Sequence, residues 1–272
     1  MPFASKFTLW SGGGKCSYVD RRVGHNRTAL SLLDEFLMTL VRLRQGFDII
    51  HVANLFDVSS SHCSKVINTW IFILYNAFKS LLVWPSQIMV RSNLPKSFKS
   101  YPNTRVIIDC TEFYVQKPFR PLAQRATWSN YKHANTFKIL VGIMPSGAFT
   151  FVSELYSGST SDVDIVKNSG FLDLLEEGDD VMADRGFNIR HLLLPKKATL
   201  NVPAFSHGKS LSQKAVRSSR KIAAVRIHVE RAIRRMKSFK ILTGVIPLKL
   251  RFTLNQIILI IAVLCNFQKR LA

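Results

Sequence analysis

Apolar residues first fall into a regular pattern at Leu30, Leu33, Phe36, Leu37, Leu40, Val41 and Leu43, spaced mostly three and four positions apart. That spacing predicts an amphipathic helix, and Gly46 is the residue that would end it. A short helical piece, His51 to Phe56, comes next, then the polar break Asp57-Val58-Ser59-Ser60 and a second helix from Ser61 through Val66, Trp70 and Leu74. Ser59 and Ser60 carry the side-chain oxygen that accepts from the free N–H groups of a helix start, so they are the expected caps. Helix, tight polar turn and helix is the layout of a helix-turn-helix, in which Ser61 and Lys65 at the start of the second helix would face a DNA groove. The same pattern also suits a plain helical bundle packed on a larger domain.

Beyond a stretch containing Pro85, Asn93, Pro95 and Pro102 the period changes from helix to strand. Val106-Ile107-Ile108 before Asp109 reads as a buried strand that Phe113 to Val115 continues or follows. Phe137 to Ile143 and Phe149 to Ser153, joined by Pro145-Ser146-Gly147, read as a hairpin. Helices are predicted around Asp162 to Asn168 and Phe171 to Leu175, a short strand at Asp180 to Ala183 ending on Asp184, a strand at Leu200 to Val202, and a long helix from about Arg217 to Phe239. Strands followed by alternating strands and helices predict an α/β fold, a mixed sheet covered by helices. The chain thus divides into a Gly-, Ser- and Arg-rich flexible arm at 1–27, a small all-α helix-turn-helix segment at 28–84, a linker at 85–101 and the main domain at 102–272.

Charge narrows the function classes. Among 272 residues, 38 Lys and Arg oppose 17 Asp and Glu, a formal net charge of +21. Such a surface favours a polyanion, with nucleic acid the first candidate and a ribosomal or membrane-surface role the alternative. The four cysteines, Cys16, Cys63, Cys110 and Cys265, form no CxxC pair, so neither a zinc finger nor a disulfide framework is written here. The start has no sustained apolar segment, and the apolar run Ile257 to Cys265 is shorter than the roughly 20 residues that span a bilayer, so no membrane partner is expected. There is no GxSxG elbow, Walker A loop or GxGxxG fingerprint, which argues against serine hydrolysis and a nucleotide cofactor.

Three acids stand where apolar elements meet polar edges: Asp109 after one strand, Asp184 at the end of another, and Glu230 on the long helix. A carboxylate in such a place needs a partner or a metal. On a helical wheel Ile222, Val225, Val229, Ala232, Ile233 and Met236 form one stripe, with His228, Arg231 and Arg235 opposite and Glu230 beside the stripe. Glu230 can therefore lean over the sheet edge, or instead pair with Arg226 and Arg234 one turn away. Phosphodiester cleavage requires a polarised phosphoryl oxygen, an activated nucleophile and a stabilised leaving group, and two divalent ions supply all three. Carboxylates are the ligands that suit Mg²⁺ or Mn²⁺, and no His or Cys cluster competes as a zinc site.

At these residues a resemblance emerges. The stretches IIDCTEFYVQKP, TWSNYKHANTFKILVGIMPSGAFTFVSELYSGSTSD, DDVMADRGFNI, VPAFSHGK and SRKIAAVRIHVERAIRRMKSFKIL resemble the DDE-type endonuclease domain of Harbinger-like transposases and their host-derived relatives, over about Pro102 to Leu271. The segment Leu30 to Lys79 resembles the helix-turn-helix that precedes it. The resemblance implies a ribonuclease H-like mixed sheet, with the first acid on the first strand (Asp109), the second at the end of the fourth (Asp184) and the third on a flanking helix (Glu230). These three would be both catalytic and metal-binding, with Mg²⁺ or Mn²⁺ as cofactor, DNA as substrate, strand transfer as a further step and the nucleus as location. Asp162 is an additional acid near the site, or a cap for the helix after it. Lys132, His133, Arg185, Arg226, Arg231, Arg234 and Arg235 would contact phosphates or form a solvated face. Trp128 and Tyr131 would stack on a distorted base or be buried. Some relatives carry a zinc finger that 1–27 does not encode, so recognition of DNA ends would rest on the helix-turn-helix alone or on an accessory DNA-binding protein; a homo-oligomer is the other expected assembly. The alternative is a domesticated, catalytically silent DNA-binding protein that retains the fold.

Overall fold

The computed structural model describes residues 30–203, 213–269 and 271; the arm at 1–27 and the loop containing His207 lie outside them. The chain forms two compact units, residues 1–81 with 237–261 and residues 82–236 with 262–272. Each is described by itself.

In the first unit α1 (Leu32–Gln45) begins at Ser31, whose hydroxyl accepts from the Asp34 N–H, and ends at Gly46. Gly46 has φ 68°, and a Cβ there would stand 2.8 Å from the Lys240 backbone, so both the left-handed turn and the close approach require glycine. α2 (Ile49–Leu55) is capped by Asp48. α3 (Ser60–Phe78) is capped by Ser59, which accepts from the His62 N–H. The α2, turn, α3 arrangement matches the expected helix-turn-helix. Trp70, buried in α3, donates from Nε1 to Glu35 Oε2 of α1 at 2.9 Å, tying the two helices through an internal polar contact.

The second unit starts in the segment read as a linker. That segment is folded, with α4 (Gln87–Ser92) and a 3-10 turn at Lys96–Phe98, and it buries Val90 and Phe98. The sheet follows: β1 (Thr104–Tyr114), α5 (Pro121–Thr127), β2 (Trp128–Ser129), β3 (Ala134–Ile143), β4 (Phe149–Val152), β5 (Tyr156–Ser157), α6 (Asp162–Asn168), β6 (Asp180–Met182), α7 (Arg190–Leu193), β7 (Thr199–Asn201) and α8 (Gln213–Lys237). Strands β3 and β4 pair antiparallel in order beside β1, and β6 and β7 extend the other side in parallel. With the two-residue strands β2 and β5 set aside, β6 is the fourth strand. This is the ribonuclease H-like mixed sheet flanked by helices.

One face of the sheet, carrying Val106, Ile108, Leu140, Val181 and Leu200, packs on Ile165 and Val166 of α6 and on Phe171. Arg105 of β1 is buried with Asp179, 3.5 Å apart, and reaches Glu176 at 3.1 Å. On α8 the helical-wheel reading needs one correction. His228, expected opposite the apolar stripe, is buried and stacked against Phe98 with ring centroids 5.8 Å apart. Burial and the nearby Arg231 lower its pKa.

The apolar run near the C-terminus lies in α9 (Arg251–Asn266). With the turn before it, Leu248–Asn266 is one helical stretch long and apolar enough to cross a membrane by length and composition. This corrects the expectation from the nine-residue run alone, because Leu248, Leu250 and Leu254 extend the apolar span. Leu254, Ile257, Ile258, Ile260, Ile261 and Ala262 are buried within the protein, as in the core helix of a globular fold.

Candidate active site

The sheet register determines where the first two acids lie. Parallel strands β1 and β6 pair Val106 with Val181 and Ile107 with Met182. Side chains alternate across a strand, so Asp109, two past Ile107, and Asp184, two past Met182, fall on the same face at neighbouring positions. Adjacent strands are about 4.8 Å apart, which places the two acids side by side. Ala183, between Met182 and Asp184, belongs to the core on the opposite face. Asp184 lies just past the strand in a tight turn, where its carbonyl accepts from the Phe187 N–H at 3.1 Å and its Oδ1 from the Arg185 N–H at 2.7 Å.

Burial pushes the Asp109 carboxyl up from 3.8 to about 6. The Arg226 guanidinium opposes that rise, Asp184 adds to it, the Cys110 backbone N–H opposes it and Asp162 adds again. Arg226 projects from α8, is buried, and places Nη1 3.1 Å from Asp184 Oδ1. Its Nε is buried and has no hydrogen-bond partner among the described residues. The guanidinium is therefore the positive charge at a pair of neighbouring carboxylates.

Glu230 follows Arg226 by four residues, so it stands on the same face of α8 about 6 Å further along the axis. It is exposed and has no ion pair among the described residues. Pairing with Arg226 and Arg234 is thus not realised, because Arg226 turns to Asp184. Among the described residues no three His, Cys, Asp or Glu side chains are gathered closely enough to hold an ion. Two acids stand together, and the third is a helical turn from their counter-ion.

Asp162 is the first residue of α6, but the cap is Ser161, whose hydroxyl accepts from the Asp164 N–H at 3.1 Å. Asp162 instead receives Lys138 Nζ at 3.1 Å, and the same ammonium lies 3.7 Å from Glu112 Oε1. Thr136 Oγ1 donates to Glu112 Oε2 at 2.7 Å. Glu112 and Lys138 are directly opposed across β1 and β3. Burial, with Asp162 and Asp109 nearby, pushes the Cys110 thiol strongly up. Cys110 and Glu112 alternate with Asp109 along β1, so this network occupies the other face of the sheet. Sequence reading missed it, although a single Lys within the apolar run Phe137-Lys138-Ile139 was the available signal, since a half-buried ammonium needs carboxylates.

Of the candidate DNA contacts, Arg185, Arg231, Arg234 and His133 are exposed and Lys132 half-buried. Arg235 is half-buried, with Nη1 donating to the Cys265 carbonyl at 3.4 Å, and Arg226 is committed to Asp184. Ser61 and Lys65 are exposed one turn apart at the start of α3.

Comparison with known proteins agrees with both halves of this description. Protein ALP1-like from Arabidopsis thaliana is 26% identical over 155 residues, which cover 56% of this chain and 37% of that protein. The chain therefore spans little over a third of that curated relative. Residues 28–80 match the helix-turn-helix of DDE superfamily endonuclease. Residues 108–266, which hold most of the sheet, both neighbouring acids and α8, match DDE superfamily endonuclease, and with more than half of its length inside that match the chain belongs to this family.

Proposed function

We propose that the protein is a metal-dependent DNA endonuclease of transposase type, with Asp109, Asp184 and Glu230 as its catalytic carboxylates. The observation that carries this reading is the register of β1 and β6, which sets Asp109 beside Asp184 on one face under an arginine of α8. The donor set fits Mg²⁺ or Mn²⁺: hard carboxylate oxygens, one of them destabilised as an anion by burial and by its neighbour. Asp109 and Asp184 would hold the ions and Glu230 would complete the set. Bound divalent ions would polarise the phosphoryl oxygen and lower the pKa of the attacking water or 3' hydroxyl. Asp109 would serve in its ionised form, reached above a pKa of about 6, and Arg226 must yield Asp184 or share it. The exposed Arg185, Arg231 and Arg234 would neutralise phosphates, and Ser61 and Lys65 would read or position the duplex through α3. Strand transfer, assembly as a homo-oligomer or with an accessory DNA-binding protein, and residence in the nucleus are further parts of the proposal.

The Arg226 contact also favours a second reading, a catalytically silent DNA-binding protein in which the guanidinium permanently takes the place of an ion. Calorimetric titration of Mn²⁺ into the wild type and Asp109→Ala separates the two. Saturable binding by the wild type that the variant lacks supports the endonuclease; no binding by either leaves the silent binder.

A further inference from the structure

The segment between β1 and β3, residues 115–133, contains no Asp or Glu but has Lys117, Arg120, Arg125 and Lys132. Four aromatic rings on or beside it are exposed: Tyr114, Phe119, Trp128 and Tyr131, with Phe119 at 97% and Tyr131 at 79% of full exposure. Single exposed apolar residues are ordinary, but this concentration, interleaved with cations of one sign, marks an interaction surface.

The segment is also held in shape. Asn135 Nδ2 donates to Thr127 Oγ1 at 2.8 Å and to the Gln124 carbonyl at 2.9 Å, fixing α5 against β3. The Ser159 N–H donates to the Ala126 carbonyl at 3.2 Å. A Cβ on Gly158 would approach the Thr127 carbonyl to 2.6 Å, so that neighbouring turn fits closely. β2 and β3 pair Trp128 with Asn135 and Ser129 with Ala134, which puts Tyr131 and Lys132 at a hairpin tip. There His133 takes a left-handed φ of 49° and Ser129 Oγ accepts from the Lys132 N–H at 3.2 Å. Lys132 Nζ lies 4.4 Å from the Tyr131 ring centroid, so the exposed ring carries a positive charge beside it. The rings are presented, not left over from poor packing.

We propose that residues 114–133 form a stacking platform for unpaired DNA bases, with Phe119 and Tyr131 as its principal rings and Trp128 beside them. Duplex DNA offers phosphates and groove edges but hides the base faces, and cations alone would suffice to bind it. Flat exposed rings between cations suit a strand whose bases are free to stack while its phosphates meet Lys and Arg. The absence of acid from 115–133 disfavours basic protein partners, and an acidic peptide would use the cations without the rings. The platform lies along the sheet from Asp109: Val141 of β3 pairs with Asp109 and Asn135, six residues away on the same face, pairs with Trp128, so Trp128 stands about 20 Å along that face, or roughly six base steps of one DNA strand. The inference rests on the reading of this protein as acting on DNA. It deepens that reading by specifying single-stranded DNA a few nucleotides from the cut.

The test measures fluorescence anisotropy of the full chain in EDTA with a labelled duplex of about 20 base pairs, blunt or with an overhang of about six nucleotides, within the site size of such platforms. The wild type should bind the overhang form about tenfold more tightly, and the overhang should quench Trp128 fluorescence. The double variant Phe119→Ala/Tyr131→Ala, both positions being exposed, should keep its melting temperature and blunt-duplex affinity yet lose the preference, whereas Tyr131→Phe should retain it. A wild type indifferent to the overhang, or a double variant that still prefers it, overturns the platform while leaving duplex binding intact. Failure to bind either DNA overturns the DNA reading itself, and the platform with it.

Discussion

Replacing Asp109 by Asn should make the metal-free protein more stable at neutral pH. The carboxyl is pushed up from 3.8 to about 6, chiefly by burial, so between those values the folded state holds a proton that the unfolded chain has already released, and above them it carries a buried charge. With the folded pKa raised on an acid, the cost is absent below 3.8, grows between that value and 6, and is complete above 6. A shift of about two units at about 1.4 kcal/mol each gives about 3 kcal/mol at pH 7.5. By the same linkage only about half of that cost is present at pH 5. Asn keeps the size and the polar atoms but has no charge to lose. Denaturant unfolding in EDTA of both proteins at pH 5 and pH 7.5 supplies the check, the difference between them at each pH being the quantity of interest. The reasoning predicts a stabilisation by Asn that grows with pH, with a midpoint between the two titrations. A variant less stable than wild type at pH 7.5, or a difference independent of pH, would refute it.

Other consequences follow from the same contacts. Arg105→Met strands the buried Asp179 carboxylate and should cost about 3–5 kcal/mol in unfolding experiments, with part recovered in Arg105→Met/Asp179→Leu. Trp70→Phe removes the indole donor to Glu35 and should destabilise the helix-turn-helix unit by about 1–3 kcal/mol, measured by circular dichroism on melting. Arg226→Met frees Asp184 from its cation and should tighten Mn²⁺ binding by calorimetry, though by no more than about fivefold, because solvent reaching the half-exposed Asp184 screens the pair.

The elements were legible where one period dominated. Asp162–Asn168 was delimited from the apolar pattern alone, and Gly46 and Ser59 end and begin helices as their chemistry dictates. The folded segment at 87–98 was hidden because Pro85 and Pro95 signal a linker, while burial of Val90 and Phe98 depends on partners distant in sequence. His228 went astray for a related reason: a helical wheel sorts residues by polarity, but an imidazole stacks on Phe98 as readily as it meets water. Asp109 and Asp184 were nameable because an acid at the end of an apolar strand is costly without a partner. Their adjacency comes from the β1 and β6 register, a long-range pairing that spacing does not encode. The Arg226 contact and the Lys138, Glu112 and Asp162 network likewise required the sheet before their partners could be identified.

The most direct test of the central claim concerns Glu230, the acid standing apart from the other two. Supercoiled plasmid incubated with Mn²⁺ and either wild type or Glu230→Gln reads out nicking, while circular dichroism and duplex affinity show that the variant is intact. The account predicts metal-dependent nicking by the wild type and its loss in the variant with DNA binding unchanged. Equal nicking by both proteins, or none by the wild type in any divalent ion, would contradict it.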